Sequence, residues 1–165
     1  MRLRVDDSTS LFPLSRKFGA EAQEARALLL ARSLGLRPYG VTFHVGSQCT
    51  TTTAWRQAIA AVGRLLSRLS GDGITLEMLN LDGGFPARYV ESVPSIDQIA
   101  NTIESALHEL LPYRPELLAV EPGRYLLATL DAGDRLYIGS AGAYTLSYAS
   151  HFNGFPPPTP VFIGR

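Results

Sequence analysis

A single cysteine, Cys49, and a single lysine, Lys17, stand in this 165-residue sequence. One cysteine excludes an internal disulfide and any multi-cysteine zinc site, and it fits a reducing cytoplasm. Arginine supplies 14 of the 15 basic side chains, so a mechanism that needs a lysine imine has one candidate here. Neither charge is in excess, with 15 basic residues against 15 acidic ones. That balance gives no basis for a nucleic-acid groove or for attraction to an anionic membrane. No apolar run approaches the ~20 residues of a membrane span, and the opening MRLRVDDSTS has no apolar core of a secretion signal. Internal repeats are absent, and the only low-complexity tract is the proline run at 156–158. What remains, 45% hydrophobic and 18% charged, bounds one soluble globular domain with a sizeable core.

Along the chain, apolar periodicity alternates between strand and helix. Residues 3–5 read as the end of a strand, and the chain is expected to begin inside its fold. A helix is predicted over 21–34, with Ala25, Leu28, Leu29 and Ala31 near helical spacing and Gly35 as its stop. Residues 41–45 are an apolar, β-branched and aromatic strand that runs into His44 and then a small-residue turn, GSQC. The threonines at 50–53 offer an N-cap to a second helix, whose Trp55, Ile59, Val62, Leu66 and Leu69 share one face and belong to the core. A strand follows at 76–81, closed by Gly83 and Gly84. Ser95, with Gln98 three residues on, has the spacing of a capping box for a third helix carrying Ile96, Ile99, Ile103, Leu107 and Leu110. A short strand at 117–120 completes the rhythm. Strand then helix with short connections is the pattern of β/α units on a parallel sheet. Beyond residue 128 the rhythm breaks into a turn, a strand and a proline-rich stretch, so a second region is expected over 129–165.

In β/α barrels the loops leaving the C-terminal ends of the strands converge on one face, and the chemistry collects there. Applied here, that rule gathers His44 and Ser47, then Gly83 and Gly84, then Glu121, Gly123 and Arg124. Glycines let backbone N–H groups approach an anion, serine adds a hydroxyl, and arginine adds a bidentate cation. The set reads as a phosphate cradle. Glu121 would repel the phosphate unless it served another part of the same ligand, such as a protonated ring nitrogen, and His44 could lie against the face of that ring.

The segments FHVGSQC, LDGGFP, EPGRYLLA and GAYTLSYASHFNGF, in this order, resemble the signatures of fold-type III pyridoxal-phosphate decarboxylases, in the ornithine decarboxylase branch. The resemblance implies an α/β fold, a partial TIM-type (β/α) barrel of the alanine racemase-like kind over 1–128, with a remnant of the C-terminal β-domain over 129–165. It implies pyridoxal 5'-phosphate as cofactor. His44 would stack on the ring, and Ser47 with the backbone of Gly83, Gly84 and Gly123 would hold the phosphate. Arg124 and Tyr144 would complete that shell, Glu121 would pair with the ring nitrogen, and Phe152 or Phe155 would line the substrate pocket. It further implies ornithine or a related basic amino acid as substrate, putrescine and carbon dioxide as products, and a cytoplasmic homodimer in the full-length family.

Departures from the family pattern matter equally. The imine-forming lysine lies on an early strand that this sequence does not contain, and Lys17 falls at a different position, in LSRKFG. The family's catalytic Cys-Asp segment, between EPGR and GAYT, is also missing; Cys49 belongs to the FHVGSQC motif and reads as a small filler. Asp82 stands where the family has the first of three glycines. A carboxylate about 4 Å from a phosphate costs roughly 4 kcal/mol per charge pair at an effective dielectric of ~20, subject to where it points. Two functions follow as expectations: an ornithine-type decarboxylase present as an incomplete chain, or an inactive homologue that binds or regulates a partner. An incomplete gene product is the third.

Overall fold

The structure is a computed structural model that describes residues 1–88, 91–123 and 125. The chain divides into two units, Met1–Leu130 and Asp131–Arg165, and every described residue belongs to the first. Its ordered elements are β1 (Ser10–Phe12), α1 (Ala22–Leu29), a 3₁₀ turn (Leu30–Leu34), β2 (Gly40–Thr42), β3 (Ser47–Cys49), α2 (Thr53–Gly71), β4 (Met78–Asn80), α3 (Ile96–Leu110) and β5 (Leu117–Ala119). Among the described residues no helix is long and apolar enough to cross a membrane.

The central sheet is parallel, in the order β2-β4-β5. Its register aligns Val41 with Leu79 and Leu79 with Leu118, and it aligns Thr42 with Asn80 and Asn80 with Ala119. The N-terminal segment lengthens it. Arg2 bridges to Thr42 and Leu3 to Ala20, both in parallel, with Leu3 N–H donating to the Thr42 carbonyl at 2.7 Å. Alternation decides which side each residue takes, because successive side chains point to opposite faces. Val41, Phe43 and Val45 are buried with Leu79 and Leu81. That face packs against the helices, while Thr42 and His44 take the opposite one.

Apolar spacing also builds the helices. In α2, Trp55, Ile59, Val62, Leu66 and Leu69 are all buried as their periodicity requires. In α3 both halves of the capping box form: Gln98 N–H donates to the Ser95 hydroxyl and Ser95 N–H to the Gln98 side chain. The two helices meet closely at Gly63, where an added Cβ would lie 2.1 Å from the Leu110 carbonyl oxygen. Burying one large apolar side chain is worth about 1.5–3 kcal/mol. The stripes of α2 and α3 therefore supply much of what holds the sheet's covered face.

Three local expectations change. The helix expected over 21–34 ends as an α-helix at Leu29 and tightens into the 3₁₀ turn, with Gly35 closing it at φ 77°. Ala25 and Leu29 point inward, and Leu28 stays exposed. The threonines do not cap α2 through a side chain; Thr50 and Thr51 instead bond Thr9, tying the helix entry to the loop before β1. The expected turn at GSQC contains a strand, with Ser47–Cys49 running antiparallel to Ser10–Phe12. Gly46 makes the bend at φ 85°, and an added Cβ there would lie 2.0 Å from the Ser10 hydroxyl oxygen, so only glycine lets the two segments approach.

Candidate functional site

Register places the chemistry. Thr42, Asn80 and Ala119 form one row across β2, β4 and β5. Two residues beyond each lies His44, Asp82 or Glu121, at the C-terminal end of the parallel sheet where the loops depart. The ladder continues into these loops: Leu81 N–H donates to the Ala119 carbonyl at 2.9 Å, and Glu121 N–H to the Asp82 carbonyl at 2.7 Å. Together they border a cavity of about 180 Å³ lined by His44, Ser47, Gly83, Gly84, Glu121 and Gly123, with Gln48 and Asp82 beside them. Of the residues expected at the site, these six converge. Arg124, Tyr144, Phe152 and Phe155 lie outside the described residues. A larger hollow of about 530 Å³ opens on the helix side between α3 and β5, but aliphatic and aromatic groups dominate its wall and no phosphate cradle forms there.

The His44 ring is oriented from below. Its Nδ1 accepts the Gly46 N–H at 2.9 Å, which leaves Nε2 as the protonated nitrogen of the neutral ring. Burial pushes its pKa below the usual histidine value. Arg2 pushes the same way, and the carboxylates of Asp82, Asp7 and Glu121 only partly oppose them. Near neutral pH the ring is therefore uncharged and suited to lie against an aromatic plane.

Within the chain, Glu121 is held by Asn80. Asn80 Nδ2 donates to Glu121 Oε1 at 2.7 Å, while its Oδ1 accepts the Asp82 N–H at 2.8 Å. The backbone bond fixes the amide, and the amide fixes the carboxylate. Sequence reading passed over Asn80; its signal was a polar residue in register on the same face as Thr42.

Gln48, at φ 57°, clamps the neighbouring loop. Its amide donates to the Ala87 carbonyl at 2.9 Å and accepts the Ala87 N–H at 2.7 Å, and Cys49 N–H reaches the Gly84 carbonyl at 2.9 Å. Phe85 is seated on Trp55, with ring centroids 5.5 Å apart. Asp7, buried beneath the His44 loop, accepts the Ser15 N–H at 2.7 Å, the Ser15 hydroxyl at 2.6 Å and the Leu14 N–H. Asp7 falls in the segment RLRVDDS, which also resembles the family, but no role was expected of it, because its donors come from an irregular loop. Lys17 does not line the cavity; its Nζ lies 5.3 Å over the Phe18 ring.

With this geometry, comparison with known proteins is decisive. Residues 1–128 match the family described as pyridoxal-dependent decarboxylase, pyridoxal binding domain. The chain belongs to that family. Ornithine decarboxylase of Caenorhabditis elegans is 36% identical over 130 residues, covering 78% of this chain and 30% of that protein. Antizyme inhibitor 2 of Xenopus laevis is 37% identical over 131 residues, covering 78% of this chain and 28% of that protein. Lysine/ornithine decarboxylase of Vibrio vulnificus, solved in complex with putrescine, superposes with a TM-score of 0.63 at 34% identity, covering 76% of this chain and 32% of its own. The chain thus spans less than a third of the length of these relatives. Its parallel sheet and helices are part of the (β/α) barrel of the alanine racemase-like decarboxylases. The family match ends at residue 128, before Tyr144, Phe152 and Phe155.

The cavity fits the family's pyridoxal group at the ring and disagrees with it at one point of the cradle. At Gly83 an added Cβ would lie 3.1 Å from His44 Nε2 and 3.1 Å from the Glu121 carbonyl oxygen, so any side chain would fill the space between them. Gly84, at φ 98°, lies so close to the bend at Gly46 that a Cβ would meet the Gly46 carbonyl oxygen at 2.7 Å. The disagreement is Asp82, whose Oδ1 accepts the Gly83 N–H at 2.8 Å. A donor that the cradle would offer to a phosphate is already taken by a carboxylate of the same chain.

Proposed function

We propose that residues 1–128 hold pyridoxal 5'-phosphate for an ornithine-type decarboxylase that converts L-ornithine to putrescine and carbon dioxide in the cytoplasm, as a homodimer. Residues 129–165 then belong to the C-terminal β-domain. The observation that carries this reading is the convergence on one small cavity of a neutral His44, an amide-held Glu121 and Gly83, whose missing side chain leaves the space between them clear. The group, when bound, supplies an electron sink for the negative charge left as the substrate carboxylate departs. His44 stacks on its ring through an uncharged face. The Glu121 carboxylate, held by Asn80, accepts a hydrogen bond from the ring N–H and so favours keeping that proton in place. Ser47 donates its hydroxyl to the phosphate, the backbone of Gly84 and Gly123 approaches it closely, and Arg124 is assigned to its outer shell. The names of the relatives support this substrate class.

The test is a titration of the chain with pyridoxal phosphate, followed by absorbance and calorimetry, for the wild type, H44A and E121Q. Saturable binding is expected, weakened roughly tenfold or more by E121Q, since a hydrogen bond to a charged group is worth about 1.5–3 kcal/mol, and severalfold by H44A, since a stacked aromatic pair is worth about 0.5–1.5 kcal/mol. Identical binding by all three proteins would defeat the reading.

The likeness to antizyme inhibitor 2 favours a second reading, an inactive homologue that binds or regulates a partner. Lys17, the chain's single lysine, stacks on Phe18 and is assigned no imine chemistry in either reading. Borohydride treatment with pyridoxal phosphate is expected to leave Lys17 unlabelled. A mass adduct mapped to Lys17, together with turnover, would exclude the inactive reading.

A further inference from the structure

Asp82 is the residue at which this chain parts from the glycine-rich cradle that its motif resembles. It holds φ 55°, a left-handed backbone conformation that glycine adopts freely. Its side chain does not turn away from the cradle. Oδ1 accepts the N–H of Gly83 at 2.8 Å, and Oδ2 lies 3.8 Å from the Arg2 guanidinium. The carboxylate is mostly sheltered, lines the cavity with His44, Gly83 and Glu121, and takes up a backbone donor of the cradle while keeping Arg2 close behind it.

We propose that Asp82 is a built-in competitor for the phosphate cradle, an internal anion that a phosphate must displace from the Gly83 N–H. This rests on the pyridoxal-phosphate reading of the site and goes beyond it by assigning the cradle's anion selectivity to one side chain. An arriving phosphate meets a like charge and an occupied donor. Binding therefore requires Asp82 to rotate off Gly83, with Arg2 as the cation able to retain it. The consequence is a cofactor held loosely and exchangeably rather than one locked in place.

Two substitutions separate charge from occupancy. D82N removes the charge, tolerates the left-handed backbone and still offers an oxygen to the Gly83 N–H. D82G removes both and suits the backbone outright. Inorganic phosphate and pyridoxal phosphate are titrated calorimetrically into the full chain and the two variants, with the Gly83 amide resonance followed by NMR. Both anions are expected to bind D82G roughly tenfold more tightly than wild type, because even in bulk water a unit charge about 4 Å from a phosphate shifts binding by about that order. D82N is expected to fall between them, and the Gly83 amide should shift on phosphate addition in every case. Equal affinities in all three proteins overturn the role of Asp82 and leave the cofactor reading standing. No binding of either anion to any of the three overturns both.

Discussion

Asn80 stands between the backbone of one loop and the carboxylate of another, accepting the Asp82 N–H at 2.8 Å and donating to Glu121 at 2.7 Å. This single amide sets the direction of the anion that the proposed function assigns to a ring nitrogen. N80D replaces the donor by a second carboxylate at hydrogen-bond distance, where two like charges oppose each other. N80A should leave Glu121 unheld, at a cost of about 1 kcal/mol in stability. N80D is expected to lower the urea midpoint at neutral pH further than N80A does, because it adds repulsion to the lost hydrogen bond. Equal midpoints in the two variants would show that residue 80 and Glu121 are not in contact.

Acid should lower the protein's stability over two successive pH ranges. Burial holds the folded His44 below its ordinary value of about 6.5. The unfolded chain therefore takes up a proton first as pH falls, and stability is lost from about pH 6.5 down through the folded value, at no more than about 1.4 kcal/mol per pH unit. Asp7 acts lower. Burial pushes its carboxyl up, yet the hydrogen bonds from Ser15 and Leu14 together outweigh that and hold it below its ordinary value. Its stabilisation is present above the unfolded value and lost as pH falls through the folded one. Urea midpoints measured between pH 8 and pH 3 should show both limbs, with H44Q flattening the first. D7A should cost about 2–4 kcal/mol at neutral pH by orphaning several donors. A single limb in the wild type, unaltered in H44Q, would remove His44 from the account.

Gly63 tests the packing away from the site. Alanine is a better helix former than glycine by about 1 kcal/mol, but its methyl would press on the Leu110 carbonyl at 2.1 Å. Overpacking of this kind costs about 1–3 kcal/mol, so the steric effect should win. G63A is expected to lower the thermal midpoint; a rise would mean that α2 and α3 are less closely packed than described.

The α2 stripe and the Ser95–Gln98 capping box were legible because each depends on local spacing alone. The gathering of His44, Gly83 and Glu121 was legible for a different reason: parallel strands of similar length, aligned end to end, deliver their final residues to one edge. The β1–β3 pair was not, since Ser10 faces Cys49 across 39 positions and Phe12 faces Ser47 across 35. No local pattern reports so distant a pairing.

From its own order of residues, this chain determined a β/α rhythm, its core stripes and a set of strand-end residues suited to a phosphate and a ring. Only the tertiary structure decided how those residues use one another. Asn80 meets Glu121, Gln48 clamps Ala87, and Asp82 takes the Gly83 N–H instead of leaving it open. The physical reason is that periodicity fixes the face on which a side chain stands, whereas hydrogen bonds depend on distances of a few tenths of an ångström between loops, which only the packed sheet sets.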